Sequence, residues 1–260
     1  MKKGILAFLL CICIISLSFL PLNATTKVYS WYCNRNKEHR QPYLDSEMSF
    51  IENYGGYYVD KRYSDDSTEK TIYLTFDAGY ENGNIEKILD VLKEENVKAA
   101  FFVLENLILK NPELIKRMVA EGHTICNHTS KHPDITKFKS KEELQTELEK
   151  LEKLFKETTG QDMKKYFRPP EGKFSDESMK YLHELGYKTI FWSFAYADWD
   201  NNNQMSDKAA KEKILSNTHN GEIMLLHPTS ATNANIIKDV IQKLKSEGYN
   251  FGTLDELTSN

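Results

Sequence analysis

From residue 71 onward two hydrophobic rhythms alternate along the chain. Short blocks are built around runs of apolar residues: TIYLTFD (71–77), VKAAFFVL (97–104), HTICNH (123–128), KTIFWSF (188–194) and EIMLLH (222–227). Their β-branched and aromatic content is that of strands buried on both faces. Between them the apolar residues fall three and four apart. Ile85, Ile88, Leu89 and Leu92 share one face of a helix predicted near Ile85–Glu95. Leu144, Leu148, Leu151 and Phe155 stripe a long helix, and Ile236, Ile237, Val240, Ile241 and Leu244 stripe another over 234–246. Asn111 and Pro112 read as N-cap and first residue of a helix closed by Gly122. Ser140 and Glu143 read as a capping box, and Gly186 ends a helix over Ser175–Leu185. A short strand before Arg168, a helix near 207–217 and a last strand near 249–254 complete the pattern.

About seven strand–helix units predict a parallel sheet and, over this length, a closed or nearly closed α/β barrel. A doubly wound open sheet has the same local pattern and is the alternative. No GxGxxG follows the first strand, which counts against a dinucleotide-binding version. Residues 25–69 are polar with interleaved aromatics and lack the alternation, so they read as a short N-terminal extension to a domain at 70–260.

The first residues stand apart. Lys2 and Lys3 precede an apolar run from Gly4 to Leu22 and then Asn23-Ala24-Thr25-Thr26. Residues 1–24 therefore read as a signal peptide cleaved after Ala24, or as an uncleaved N-terminal anchor, since the run is long enough to span a bilayer. Either places the rest of the chain outside the cytoplasm, with membrane contact only through this segment. The 260 residues carry a formal charge of −4 from interspersed acids and bases, and no basic stripe points to nucleic acid. Cys33 and Cys126 are the cysteines beyond the apolar run. Two cysteines make no disulfide framework; a buried thiol at Cys126 is expected, with a single bridge as the alternative.

Chemistry gathers at the strand ends. Asp77 ends the first strand; His128 ends the third, with His132 four residues later; Arg168 ends the fourth, Asp198 follows the fifth and His227 ends the sixth. Each has an ordinary explanation alone: a helix cap, surface histidines, an ion pair, a core histidine. Barrel enzymes, however, assemble their sites at the C-terminal strand ends, and five strands each delivering a reactive side chain there are not explained by core formation. The HTSKH spacing lets both imidazoles reach one metal ion.

These residues resemble a known family. TFDAGY, HTSKH, RPPEG, DW and LLH, in that order, are similar to the five motifs of the polysaccharide deacetylases with the NodB-homology domain, over roughly residues 70–256. SWYCNRNKEHRQP (30–42), DAGYENG and SFAYADWD resemble the delta-lactam-biosynthetic subfamily, sporulation-type muramic-acid deacetylases of the bacterial cell wall. The resemblance implies a distorted (β/α)₇ barrel. It also implies metal-dependent hydrolysis of the N-acetyl group of N-acetylmuramic acid in peptidoglycan strands, a step toward muramic delta-lactam in spore cortex.

By the same resemblance Asp77 is the general base, held by Arg168, and His128 and His132 ligate a divalent metal ion, zinc being expected. Asp198 orients His227, the general acid. Tyr80, Glu171, Trp199 and Leu225 are the expected substrate contacts, with the Glu171 backbone N–H in an oxyanion hole and Leu225 in the acetyl pocket. Two departures stand out. Ala78 occupies the place of a family carboxylate that ligates the metal, and Glu171 stands where tyrosine is common. Glu81, His123 and Asp134 are nearby candidates for the missing ligand. A glycan-binding module that lost its metal chemistry with Ala78 is the main rival, a deacetylase of N-acetylglucosamine is another, and a metallopeptidase is weaker because HExxH is absent.

Overall fold

In the computed structural model of the chain, residues 27–34, 38–64 and 67–259 are described, so the leader or anchor read at 1–24 lies outside them. The extension contributes β1 (Tyr29–Ser30) and β2 (Gly56–Tyr57). The alternating part then runs β3 (Lys70–Ala78), α1 (Asn84–Glu94), β4 (Ala100–Val103), α2 (Glu105–Lys110), α3 (Pro112–Ala120), β5 (Thr124–Asn127) and α4 (Lys141–Thr159). It continues through β6 (Tyr166–Phe167), β7 (Lys173–Phe174), α5 (Asp176–Glu184), β8 (Lys188–Ile190) and α6 (Asp207–Asn217). It ends in β9 (Glu222–Leu226), α7 (Ala231–Ser246), β10 (Tyr249–Phe251) and α8 (Leu254–Leu257).

The main sheet is parallel, in the order β10-β3-β4-β5-β6-β8-β2, with β9 also paired to β3. It curls until β9 meets the chain that follows β8. There Ser193 and Phe194 donate to the Ile223 carbonyl, and Leu225 donates to that of Phe194. This is the distorted (β/α)₇ barrel with a short N-terminal extension. Two-residue periodicity sorts β3: Ile72, Leu74 and Phe76 pack with the helices, while Tyr73 joins Ala100, Phe102, Cys126, Ile190 and Ile223 in a separate inner cluster. That alternation sets Asp77 in line with Tyr73, on the inner face at the C-terminal end of the strand. A third cluster joins Trp31, Met48 and Ile51 of the extension to Phe174 and Phe191.

Several boundaries differ from the sequence reading. The strand expected over 188–194 stops at Ile190, because side chains take over its carbonyls: Arg168 bonds those of Ile190 and Phe191, and Trp31 and Cys33 bond that of Trp192. The strand expected from 97 starts at Ala100, since Val97 donates to Leu92 O and Ala99 to His123 Nδ1. Helix α2 was not foreseen; its six residues are too few to show a period. Its end abuts α3, and Asn111 makes no side-chain capping bond. Ser140 Oγ accepts from Glu143 N, but the Glu143 carboxylate reaches back to Lys139 N, so the box is offset by one residue. Helix α7 begins three residues early, capped by Ser230, and the last strand yields at Phe251 to α8. Cys33 and Cys126 form no disulfide with each other, and burial pushes the Cys126 thiol up. Among the described residues no helix is long and apolar enough to cross a membrane.

Candidate active site

Arg168 is fully buried at the C-terminal end of β6, with its guanidinium 4.2 Å from the centre of the Phe102 ring. A buried cation requires a counter-charge and satisfied donors. Nε donates to Ile190 O (2.9 Å), Nη2 to Thr75 Oγ1 (2.9 Å) and Phe191 O (3.1 Å), and Nη1 to Asp77 Oδ1 (2.8 Å). Asp77 thereby has one oxygen fixed and the other, Oδ2, 3.6 Å from His128 Nε2. Burial raises the Asp77 carboxyl, but the charge and hydrogen bond of Arg168, with the charge of His227, outweigh it. The group stays below its ordinary value of 3.8.

The HTSKH loop is held in a bent conformation in which Thr129 and His132 both have positive φ, 70° and 59°. Such backbone persists only where its surroundings enforce it. Asn127 Oδ1 accepts from Thr129 N, Thr129 Oγ1 from His132 N, and Glu147 of α4 accepts from both Ser130 N and Lys131 N. The result sets the two imidazoles edge to face, with centroids 4.9 Å apart. His128 Nδ1 lies 2.8 Å from the Arg168 carbonyl and so donates to it, which leaves the Nε2 lone pair facing the cleft. Burial lowers both histidines, His128 to about 4, keeping them neutral and able to ligate.

Across the cleft, His227 Nδ1 donates to Asp198 Oδ1 (2.7 Å) and its backbone N–H to Oδ2 (2.8 Å). Burial lowers His227, but the Asp198 hydrogen bond and charge, with that of Asp77, raise it above 6.5. Asn233, not singled out in the sequence, completes this unit. Its amide donates to Asp198 Oδ2 (2.6 Å) and His227 O (3.1 Å), and its oxygen accepts from Tyr196 OH. The available signal was its spacing: Asn233 lies three and four residues before Ile236 and Ile237, a polar residue on the core face of α7.

The cleft between these groups has a volume of about 650 Å³. Asp77, His128, His132, Glu171, Trp199, Leu225 and His227 line it with Ala78, the position of the missing carboxylate, and with Trp192 and Tyr196, which the sequence reading left out. Arg168 and Asp198 stand behind Asp77 and His227. Tyr80 is not part of the lining; it is exposed, and its hydroxyl accepts from Asn201 (2.6 Å). Glu171 has left-handed backbone (φ 55°), and its carboxylate pairs with Lys173. Trp199 is 61% exposed, its ring 6.3 Å from that of His227.

The donor set fits a divalent ion held by two imidazoles. Among the described residues no group of three or more histidine, cysteine or carboxylate side chains is arranged to hold a metal ion. The three candidates for a replacement ligand are engaged elsewhere: Glu81 accepts from Gly83 N and Ile85 N, Asp134 caps the turn at Ile135–Lys137, and His123 bonds Ala99 N at the start of β5.

Residues 64–190 match the family model described as polysaccharide deacetylase. The chain is 42% identical over 229 residues to the peptidoglycan-N-acetylmuramic acid deacetylase PdaA of Bacillus subtilis (strain 168), covering 88% of this chain and 85% of that one. The solved structure of Bacillus subtilis PdaA, a family 4 carbohydrate esterase, superposes with a TM-score of 0.83 over 89% of this chain and 97% of that one, at 41% identity. A peptidoglycan-N-acetylglucosamine deacetylase of Bacillus cereus is 33% identical over 197 residues, 74% of this chain and 89% of its own. BA3943 of Bacillus anthracis, described as a pseudoenzyme of the same esterase family, is 28% identical with a TM-score of 0.67, over 74% of this chain and 66% of that one.

Proposed function

The chain belongs to the polysaccharide deacetylase family, and from that premise we propose that it removes the N-acetyl group of N-acetylmuramic acid residues in peptidoglycan strands, outside the cytoplasm. The observation that carries this reading is the pairing of two oppositely tuned groups across one cleft: Asp77 held anionic by Arg168, and His227 held cationic by Asp198. Hydrolysis of an amide needs both, a base for the incoming water and an acid for the leaving amine.

His128 and His132 would hold the divalent ion, zinc in this proposal, which when bound supplies Lewis-acid activation of water and carbonyl. Asp77, the base, accepts the proton of the attacking water through Oδ2, since Arg168 occupies Oδ1. The tetrahedral carbon carries an oxyanion, toward which the Glu171 backbone N–H is assigned; one such donor is worth about 3 kcal/mol of barrier. Leu225 and Tyr196 form the apolar wall that receives the acetyl methyl. As the C–N bond breaks, His227 gives its Nε2 proton to the nitrogen, its other ring nitrogen being fixed by Asp198. Acetate and a glucosamine-type free amine result. Trp199, at the mouth, offers an exposed ring for a neighbouring sugar, and Tyr80 a second ring beside Asn201.

A glycan-binding module without chemistry is the second reading, favoured by Ala78 in place of a ligand. It requires neither the Asp77–Arg168 nor the Asp198–His227 pair, and both are complete. Mass spectrometry of peptide-free glycan strands after incubation with the protein tests the proposal. Loss of acetyl from muramic acid is expected; unchanged strands support the module, and acetyl loss from glucosamine alone supports the other deacetylase.

A further inference from the structure

The extension reaches the cleft from behind. The carbonyl of Trp192, a cleft-lining residue, accepts hydrogen bonds from Trp31 Nε1 (2.9 Å) and from the Cys33 thiol (2.7 Å). Those two donors fill both carbonyl lone pairs at the point where β8 has left its ladder. Trp31 also stacks on Phe191, with centroids 4.4 Å apart and planes 27° from parallel, and its backbone N–H donates to Gly172 O at 2.8 Å. Gly172, also in the cleft lining, has φ 64°, and a Cβ there would lie 2.8 Å from the Trp192 ring and 3.0 Å from Trp31 Cβ. Next to it, β1 pairs with β7 and sets Ser30 opposite Lys173, whose ammonium pairs with Glu171 at the rim. One wall of the cleft is thus built from residues 170–174 and 190–192 and held by residues 29–33.

These extension residues precede the segment matched by the family model, which begins at 64. Muramic acid differs from glucosamine by a 3-O-lactyl ether, a methyl and a carboxylate. The supported wall carries an indole and, at its rim, the Lys173–Glu171 ion pair.

We propose that Trp31 and Cys33 are positioning residues for Trp192, and that the wall they hold sets preference for a sugar bearing the 3-O-lactyl ether over one with a free 3-hydroxyl. This rests on the muramic-acid reading above. Specificity is a difference between two substrates, so the test uses both. Metal-loaded, full-length protein is assayed for kcat and KM on peptide-free muramoyl glycan strands and on N-acetylglucosamine oligomers. In the Trp31→Phe, Cys33→Ala double variant, the stacking ring and the bond to Gly172 remain while both donors to Trp192 are lost. KM on muramoyl strands is expected to rise about 10-fold with kcat within about twofold, and kcat/KM on glucosamine oligomers to stay unchanged. Cys33→Ser, which keeps a donor, should retain the wild-type ratio, and Cys33→Ala should not.

A double variant with wild-type circular dichroism and an unchanged muramoyl-to-glucosamine ratio overturns the proposal, as does an equal loss on both substrates. Should the double variant not fold, the contrast between Cys33→Ser and Cys33→Ala decides in the same way. A wild type that deacetylates only glucosamine contradicts the muramic-acid reading itself, whereas selectivity that survives the double variant contradicts only this inference.

Discussion

Burial drives the Asp77 carboxyl toward its neutral form and the His227 imidazole toward its own, yet each is shifted the other way, toward its charged form, by a dedicated partner. The proposed mechanism needs Asp77 deprotonated and His227 protonated, so kcat/KM should follow a bell whose acid limb lies below 3.8 and whose alkaline limb lies above 6.5. In Asp198→Asn the charge and the strong hydrogen bond are lost while burial remains, so the alkaline limb should move to lower pH. An unmoved limb in that variant's pH profile separates Asp198 from His227. Because the two act as a unit, rate losses in Asp198→Asn and His227→Ala should not multiply in the double variant; a kinetic cycle measures this. The five strand-end residues were legible because a charged group at the end of an apolar block is conspicuous. Asn233 was obscured by lying in the polar first turn of a helix. The left-handed backbone at Glu171 has no signature in its side chain.

At the proposed metal site, whole elements rather than single residues should set the affinity. The HTSKH loop carries two strained residues, at roughly 1–3 kcal/mol each, and is tied by Glu147 from the middle of α4. In Glu147→Ala two backbone donors lose their acceptor, and metal affinity measured by calorimetry should fall about 10- to 100-fold while the apo fold persists. An unchanged affinity means the loop holds itself. Ala78→Asp should act oppositely and tighten binding, since a carboxylate replaces a water in the coordination sphere. Equal affinity of wild type and Ala78→Asp points instead to a ligand beyond the two histidines. The spacing of HTSKH was readable in the sequence. Its dependence on Glu147 was not, because a glutamate on a highly charged helix looks like any solvated residue until its exposure is known.

For the molecule as a whole, periodicity gave the barrel because strands buried on both faces and amphipathic helices are the parts of this chain with a period. The extension has none, so its sequence shows neither that β2 joins the main sheet nor that Trp31 sits in a core cluster. Its Asp60 is buried with Arg62 and Tyr73 as partners. Burial raises that carboxyl, but the Arg62 and Tyr73 hydrogen bonds and the Arg62 charge bring it below 3.8. Asp60 and Asp77 therefore both lend stability that is complete above the ordinary carboxylate range and lost as pH falls through their lower folded values. Thermal unfolding should show a steep loss of Tm on the acid side of 3.8, made shallower in Asp60→Asn. Equal acid slopes in the two proteins assign the loss to other groups.

The claim on which the enzymatic account depends is that Asp77 is the base. It is tested most directly by the rate of acetate release from peptide-free peptidoglycan strands by metal-loaded Asp77→Asn, beside wild type, with circular dichroism confirming the fold. The account predicts a loss of at least ~10²-fold. Turnover near that of wild type would contradict it.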